Sequence, residues 1–206
     1  KIGVTDYLLK PISSAKLLEA LGQVKENILQ EREEKELLLR YSRDMQENTE
    51  NEKSKLFDRL MIGEMSMGEA VEEGKKFGLN LSASCYAVCL FKILMNSDEK
   101  NLLEQTVQAS EELEGEVKQI EGVCMFQRGI SGLAFLVMEE NEEKMREKIR
   151  DFSNCLHCVM DQWKELEYFG AVGKSVDRIR NLKDSFREAD KVFASRFTAV
   201  SYTHLR

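Results

Sequence analysis

The 206-residue chain has little proline and little histidine, and its bases are outnumbered by its acids. A single proline, Pro11, leaves little to interrupt regular backbone, and with charged residues making up a third of the chain this predicts long exposed helices. The two histidines are His157, in a predicted helix, and His204, in the terminal stretch. Neither is placed to serve a Ser-His-Asp or Cys-His catalytic set. Acid exceeds base, giving a net charge of −7. That argues against direct nucleic-acid binding by this chain, because phosphate neutralisation needs clustered Lys and Arg. No stretch approaches the ~18 apolar residues of a membrane span. The longest apolar run, 85–95, is broken by Lys92 and fits a buried strand. Five cysteines, an odd count in a chain long enough to bury a core, argue against a disulfide framework and fit reduced core thiols in a cytosolic protein. Because the first residue is Lys1 rather than Met, a chain cut at its N-terminus is expected.

What is present alternates in period. Residues 2–9, IGVTDYLL, read as a short buried strand that Lys10-Pro11 stops. Ser13 or Ser14 can cap the helix that follows. From Ala15, the residues Leu17, Leu21, Val24 and Ile28 recur at heptad spacing. The seam lapses at Glu31 and Lys35 and resumes near Leu38, Tyr41 and Met45. Residues 46–55, QENTENEKSK, carry no apolar side chain, and Leu56, Phe57, Leu60 and Met61 restore one. The stretch 15–62 therefore reads as one long, partly paired helix with a soft middle.

Beyond Ile62 the elements shorten. A short helix ends at Gly78, a favoured stop. Residues 86–95 read as a strand, and 102–121 as an amphipathic helix with Leu103, Val107 and Leu113 on or near one face. Two strands, 122–127 and 133–138, flank the hairpin turn RGISG. Residues 142–166 read as a helix with Met145, Ile149, Phe152, Leu156, Val159, Met160 and Trp163 at helical spacing. A strand at 169–173 and a helix at 175–197 complete the order βαββαβα. That order implies a split βαβ arrangement in an α+β domain, with helices on one face of the sheet.

Lys10 ends its strand, and a lysine at the carboxyl edge of an α/β sheet can pair with an anion there. The following Pro11 tolerates a cis peptide at ~0.5–1 kcal/mol, enough to turn the chain sharply. Tyr7, three residues earlier, faces away from Lys10. The string GVTDYLLKPISSAKLLEAL resembles the last strand and helix of a response-regulator receiver domain, over residues 2–30. The resemblance implies that Lys10 contacts a phosphorylated aspartate, that Pro11 is its cis proline and that Tyr7 is the aromatic switch. It also implies a doubly wound α/β receiver, truncated here. Its acceptor Asp, and the acidic pair that binds Mg2+ in an intact receiver, are encoded upstream, so no cofactor is expected in this fragment. The helix after it is similar to the signalling helix that joins receivers to output modules.

FGAVGKSV and LKDSFREADKVFASRF carry a second resemblance, to the GGDEF-like module of PucR and CdaR-type regulators and of YesN-like response regulators. The matching positions are Phe169, Gly170, Gly173, Leu182, Ser185, Phe186, Glu188, Ala189 and Phe197. It implies a ferredoxin-like fold. In cyclases of this fold the hairpin carries GG(D/E)EF, whose acidic residue holds metal. Here it reads RGISGLAF, and Arg128, Ser131 and Leu133 cannot replace a carboxylate, which implies an enzymatically inert module. YesN-like regulators continue into an AraC-type helix-turn-helix pair.

Other constellations are weaker. Cys155 and Cys158 share a helix face while His157 points elsewhere, and no second ligand pair follows for zinc. Gly170-x-x-Gly173 before Lys174 is not a P-loop. The tail resembles translated adapter read-through. The expected organisation is a receiver remnant (1–30), a helical or coiled-coil linker (31–62), a GGDEF-like regulatory domain (63–200) and a tail (201–206). The expected parent is a cytoplasmic transcription factor, phosphorylated by a histidine kinase, homodimeric through receiver and linker, and bound to promoter DNA but to no membrane. Two rivals are a nucleotide-binding sensor or divergent cyclase, and a purely structural coiled-coil adaptor.

Overall fold

The computed structural model describes residues 14–94 and 100–198. The strand expected at 2–9 with Tyr7, Lys10 and Pro11, and the tail with His204, lie outside the described residues. Contacts divide the chain into two compact units, 1–48 and 49–206.

Every described residue of the first unit belongs to helix α1 (Ser14–Ile62). Leu21, Ile28, Leu38, Tyr41 and Met45, the apolar seam read from the spacing, are exposed on it. The helix continues through the polar 46–55 stretch, whose Gln, Glu and Lys are good helix formers. Ion pairs one turn apart support it there, Lys53–Glu50 at 2.7 Å and Lys55–Glu52 at 2.6 Å.

In the second unit the last turns of α1 are core. Leu56, Phe57 and Leu60 are at most 2% exposed. Helix α2 (Met67–Lys76) follows, opened by a reciprocal cap in which Ser66 accepts from the Glu69 N–H and Glu69 accepts from the Ser66 N–H. Ser-x-x-Glu spells this cap in the sequence. The helix closes where Gly78, at φ +71°, lets its N–H reach the Lys75 carbonyl and the Leu79 N–H reach that of Gly74.

The sheet comprises β1 (Cys85–Leu94), β2 (Val123–Gln127), β3 (Leu133–Glu139) and β4 (Glu167–Val172), in the order β2-β3-β1-β4 with every pairing antiparallel. Helix α3 (Lys100–Val117) joins β1 to β2, α4 (Glu142–Met160) joins β3 to β4, and α5 (Leu182–Thr198) ends the fold. The expected βαββαβα order is present.

The expectation of helices on one face is corrected. Helices α3 and α4 cover one face, over Ala87, Cys89, Phe91 and Phe135. The end of α1, α2 and α5 cover the other, over Tyr86, Val88, Leu90 and Leu136. Strand β1 is buried on both sides over residues 85–91, so its side chains run continuously apolar there instead of alternating. Three smaller corrections concern helices. Leu103 and Val107 are about half exposed; the inward face of α3 runs through Ala109, Leu113 and Val117. Helix α4 stops at Met160, and Trp163 and Leu166 pack from the turns after it. Residues 175–181 are not α-helical: Val176 bridges Tyr86, and a 3-10 turn, Ile179–Asn181, precedes α5.

Candidate functional site: the hairpin, the β4–α5 junction and the β2 groove

The β2–β3 hairpin closes when the Arg128 N–H donates to the Gly132 carbonyl at 2.9 Å around a 3-10 turn, Gly129–Ser131. Its tip shows Ile130 to solvent at 94% exposure, while Leu133 is buried in the sheet. The Arg128 guanidinium lies 5.1 Å from the Phe186 ring centroid, a cation–π contact that ties the hairpin to α5. Ser54 of α1 donates to the Gln127 carbonyl at 2.7 Å. Phe57 packs its ring 5.1 Å from Phe126 and 6.0 Å from Phe186. The hairpin is thus held by apolar and cationic contacts, and its sequence offers no carboxylate.

The β4–α5 junction explains why particular residue types stand there. Along β1 and β4 the paired positions sum to 261, as in Cys89 with Val172, but the Tyr86–Val176 bridge sums to 262. One extra residue therefore bulges out of 173–175. The Gly173 N–H still reaches the Val88 carbonyl at 2.9 Å. The Val88 N–H, displaced from the ladder, donates instead to Ser185 Oγ at 2.9 Å. Ser185 is fully buried, and its hydroxyl is the acceptor that takes the place of the ladder partner. A Cβ on Gly173 would sit 1.9 Å from the Ser185 carbonyl oxygen, so glycine is what allows α5 to lie this close. The space beside Gly173 is filled by helix backbone and leaves no seat for a phosphate.

A groove of about 850 Å³ runs beside β2, between α1, α3 and the segment before β1. Three lysines from three elements line it, each on a glutamate: Lys53 on Glu50 at 2.7 Å, Lys118 on Glu114 at 2.7 Å, and Lys148 on Glu139 at 2.5 Å. Lys148 also donates to the Glu121 carbonyl at 2.7 Å. The Lys148 hydrogen bond holds the Glu139 carboxyl below its ordinary range, and that of Glu114 raises Lys118 above its own. Burial pushes the Cys124 thiol on the groove floor up to about 11, so it remains a protonated thiol at neutral pH. Cys89 lies inside the sheet, where desolvation pushes its thiol up to about 12 and keeps it protonated as well.

The other residues weighed from the sequence are not brought together. His157 Nδ1 lies 2.7 Å from the Tyr168 hydroxyl, turned from Cys155 and Cys158 on the same helix. Burial raises the Cys155 thiol, with Glu116 and Cys158 adding to the shift. Among the described residues no group of three or more His, Cys, Asp or Glu side chains is arranged to hold a metal ion, and no helix is long and apolar enough to cross a membrane. The groove lysines escaped the sequence reading because 53, 118 and 148 share no local pattern; only folding brings them together.

The GGDEF-like domain family matches residues 63–194, well over half of the chain. The chain belongs to the GGDEF-like domain family. No curated protein is similar enough to the chain to match it. The GGDEF-like match starts just after α1, yet Leu56, Phe57, Leu60 and Met61 of α1 are buried within the same core. The signature residues Gly173, Leu182, Ser185, Phe186 and Ala189 all lie at the β4–α5 junction, where they pack the helix onto the sheet.

Proposed function

We propose that this chain is the central part of a two-component transcription factor of YesN/AraC type, in which an enzymatically inert GGDEF-like domain follows a receiver and a signalling helix. The observation that carries the inert reading is the hairpin. Where a cyclase needs a metal-binding carboxylate, the tip offers Gly-Ile-Ser, Leu133 is buried, and Arg128 is engaged by Phe186. The signalling role is supported by α1, whose exposed apolar seam suits a second copy and whose last turns are core of the GGDEF-like domain. In this reading Lys10, Pro11 and Tyr7 complete a phosphorylation site whose acidic residues and Mg2+ belong to the upstream part of the parent. A histidine kinase supplies the phosphoryl group, and a downstream helix-turn-helix pair binds promoter DNA.

Two measurements test it. The uncut reading frame should encode an acidic pair and an acceptor aspartate upstream, and a helix-turn-helix pair downstream; a frame with neither refutes the regulator. Incubation of the chain with GTP and Mg2+ should yield no cyclic dinucleotide, and turnover would establish the divergent cyclase instead.

A further inference from the structure

We propose that the outer edge of β2 docks an extended basic segment of a partner protein, which adds to the sheet as one more strand. Strand β2 ends the sheet, with β3 on one side only. The Met138 N–H donates to the Gly122 carbonyl at 2.8 Å, and the Arg128 N–H to the Gly132 carbonyl at 2.9 Å. The ladder bonds to β3 therefore fall on the even-numbered residues, and the backbone groups of Val123, Met125 and Gln127 point outward. Two of these are met within the chain: the Val123 N–H donates to the Ile120 carbonyl, and the Gln127 carbonyl accepts from Ser54. The Val123 carbonyl, both groups of Met125 and the Gln127 N–H have no partner among the described residues. Such a row is a template for main-chain pairing.

The surroundings select the occupant. Val123 and Met125 line the 850 Å³ groove, whose walls come from α1 at Glu50 and Lys53 and from α3 at Glu114 and Lys118. The edge is thus recessed between helices. A single extended chain fits there, whereas a second copy would bring its own flanking helices against these walls. Charge sets the chemistry. The groove's lysines are already held by Glu50, Glu114 and Glu139, and Glu140 holds Lys144. Glu121 is the lining carboxylate left without a cation among the described residues. An acidic segment would have to break an existing ion pair to find a cation, while a Lys or Arg meets Glu121 directly.

The test is fluorescence anisotropy of a labelled peptide of alternating Lys and Val, titrated with the full chain at about 150 mM salt, where distant charges are screened. The peptide should bind, and its Glu/Val counterpart should not. Met125→Pro removes an outward N–H and no ladder bond, which an edge strand tolerates, and should abolish binding. Glu121→Lys should weaken it roughly fivefold or more. Glu104→Lys, the same charge change at an exposed position outside the groove, should leave it unchanged. The proposal is overturned if the Lys/Val peptide does not bind, if the Glu/Val peptide binds as tightly, if folded Met125→Pro keeps the affinity, or if the two lysine variants weaken binding equally. It is also overturned if Met125→Pro lowers the molar mass in sedimentation, because a second copy then occupies the edge. Should Met125→Pro fail to fold, the Lys/Val peptide with every backbone nitrogen methylated decides the question: it has no N–H to give the edge, and undiminished binding refutes the added strand.

Discussion

Replacing Ser185 by alanine tests the β4–α5 junction directly. The substitution removes one oxygen and leaves a side chain of nearly the same shape, so little cavity opens. What it removes is the acceptor of the Val88 N–H, on a strand residue that is itself fully buried. The bulge at 173–175 has already taken that N–H out of the sheet ladder. An orphaned buried donor costs ~1–3 kcal/mol. For a unit of this size each kcal/mol lowers the melting temperature by roughly 2–4 °C, so Ser185→Ala should melt ~2–12 °C below the parent. Thermal unfolding followed by circular dichroism reads the shift, and hydrogen exchange should show the Val88 amide losing protection first. Ser110→Ala is the matched control, because that hydroxyl only returns to the Thr106 carbonyl on its own helix. If the two variants melt together, Ser185 is not the acceptor on which the junction depends.

Gly173→Ala should be more damaging than Ser185→Ala, because its Cβ would overlap helix backbone that cannot rotate away; recovery as folded, soluble protein with an unchanged melting curve would contradict the close approach. Phe57→Ala should cost ~3–5 kcal/mol in a urea titration, since the ring is buried against Phe126 and Phe186; a near-neutral result would place the end of α1 outside the core. The Lys148–Glu139 pair predicts a pH dependence. Glu139 is depressed in the folded state, so the pair's stabilisation is complete above the unfolded carboxylate value, about 4.3, and is lost as pH falls through the folded one. The gap in urea midpoint between the parent and Lys148→Met should therefore be full at pH 7 and close below about pH 4, and a gap that widens on acidification would refute this account.

Much of the fold could be read along the chain because it depends on local periodicity. The long helix, the RGISG hairpin, the Gly78 stop and the βαββαβα order each follow from spacing or turn chemistry within a few residues. Errors arose where a distant partner decided the outcome. Leu103 and Val107 fit an amphipathic pattern as well as Ala109 and Leu113 do, but the surface offered by β1, β3 and α4 selected the latter. The start of the expected last helix, around Val176, looks α-helical until Tyr86 captures Val176 as a strand partner. The signature residues Gly173 and Ser185 were recognisable as a pattern, yet their reason was not, because the Val88 amide that links them is about a hundred residues away in sequence.

The order of chain elements, the acidic surface and the lack of a carboxylate in the hairpin were set by the sequence alone, since each is a property of neighbouring residues. Which faces of the sheet are covered, how the three groove lysines find their glutamates, and why Gly173 and Ser185 must face one another were decided only by tertiary structure. Those outcomes depend on distances between segments far apart in the chain, and backbone hydrogen bonding and close packing fix such distances only once the sheet has formed.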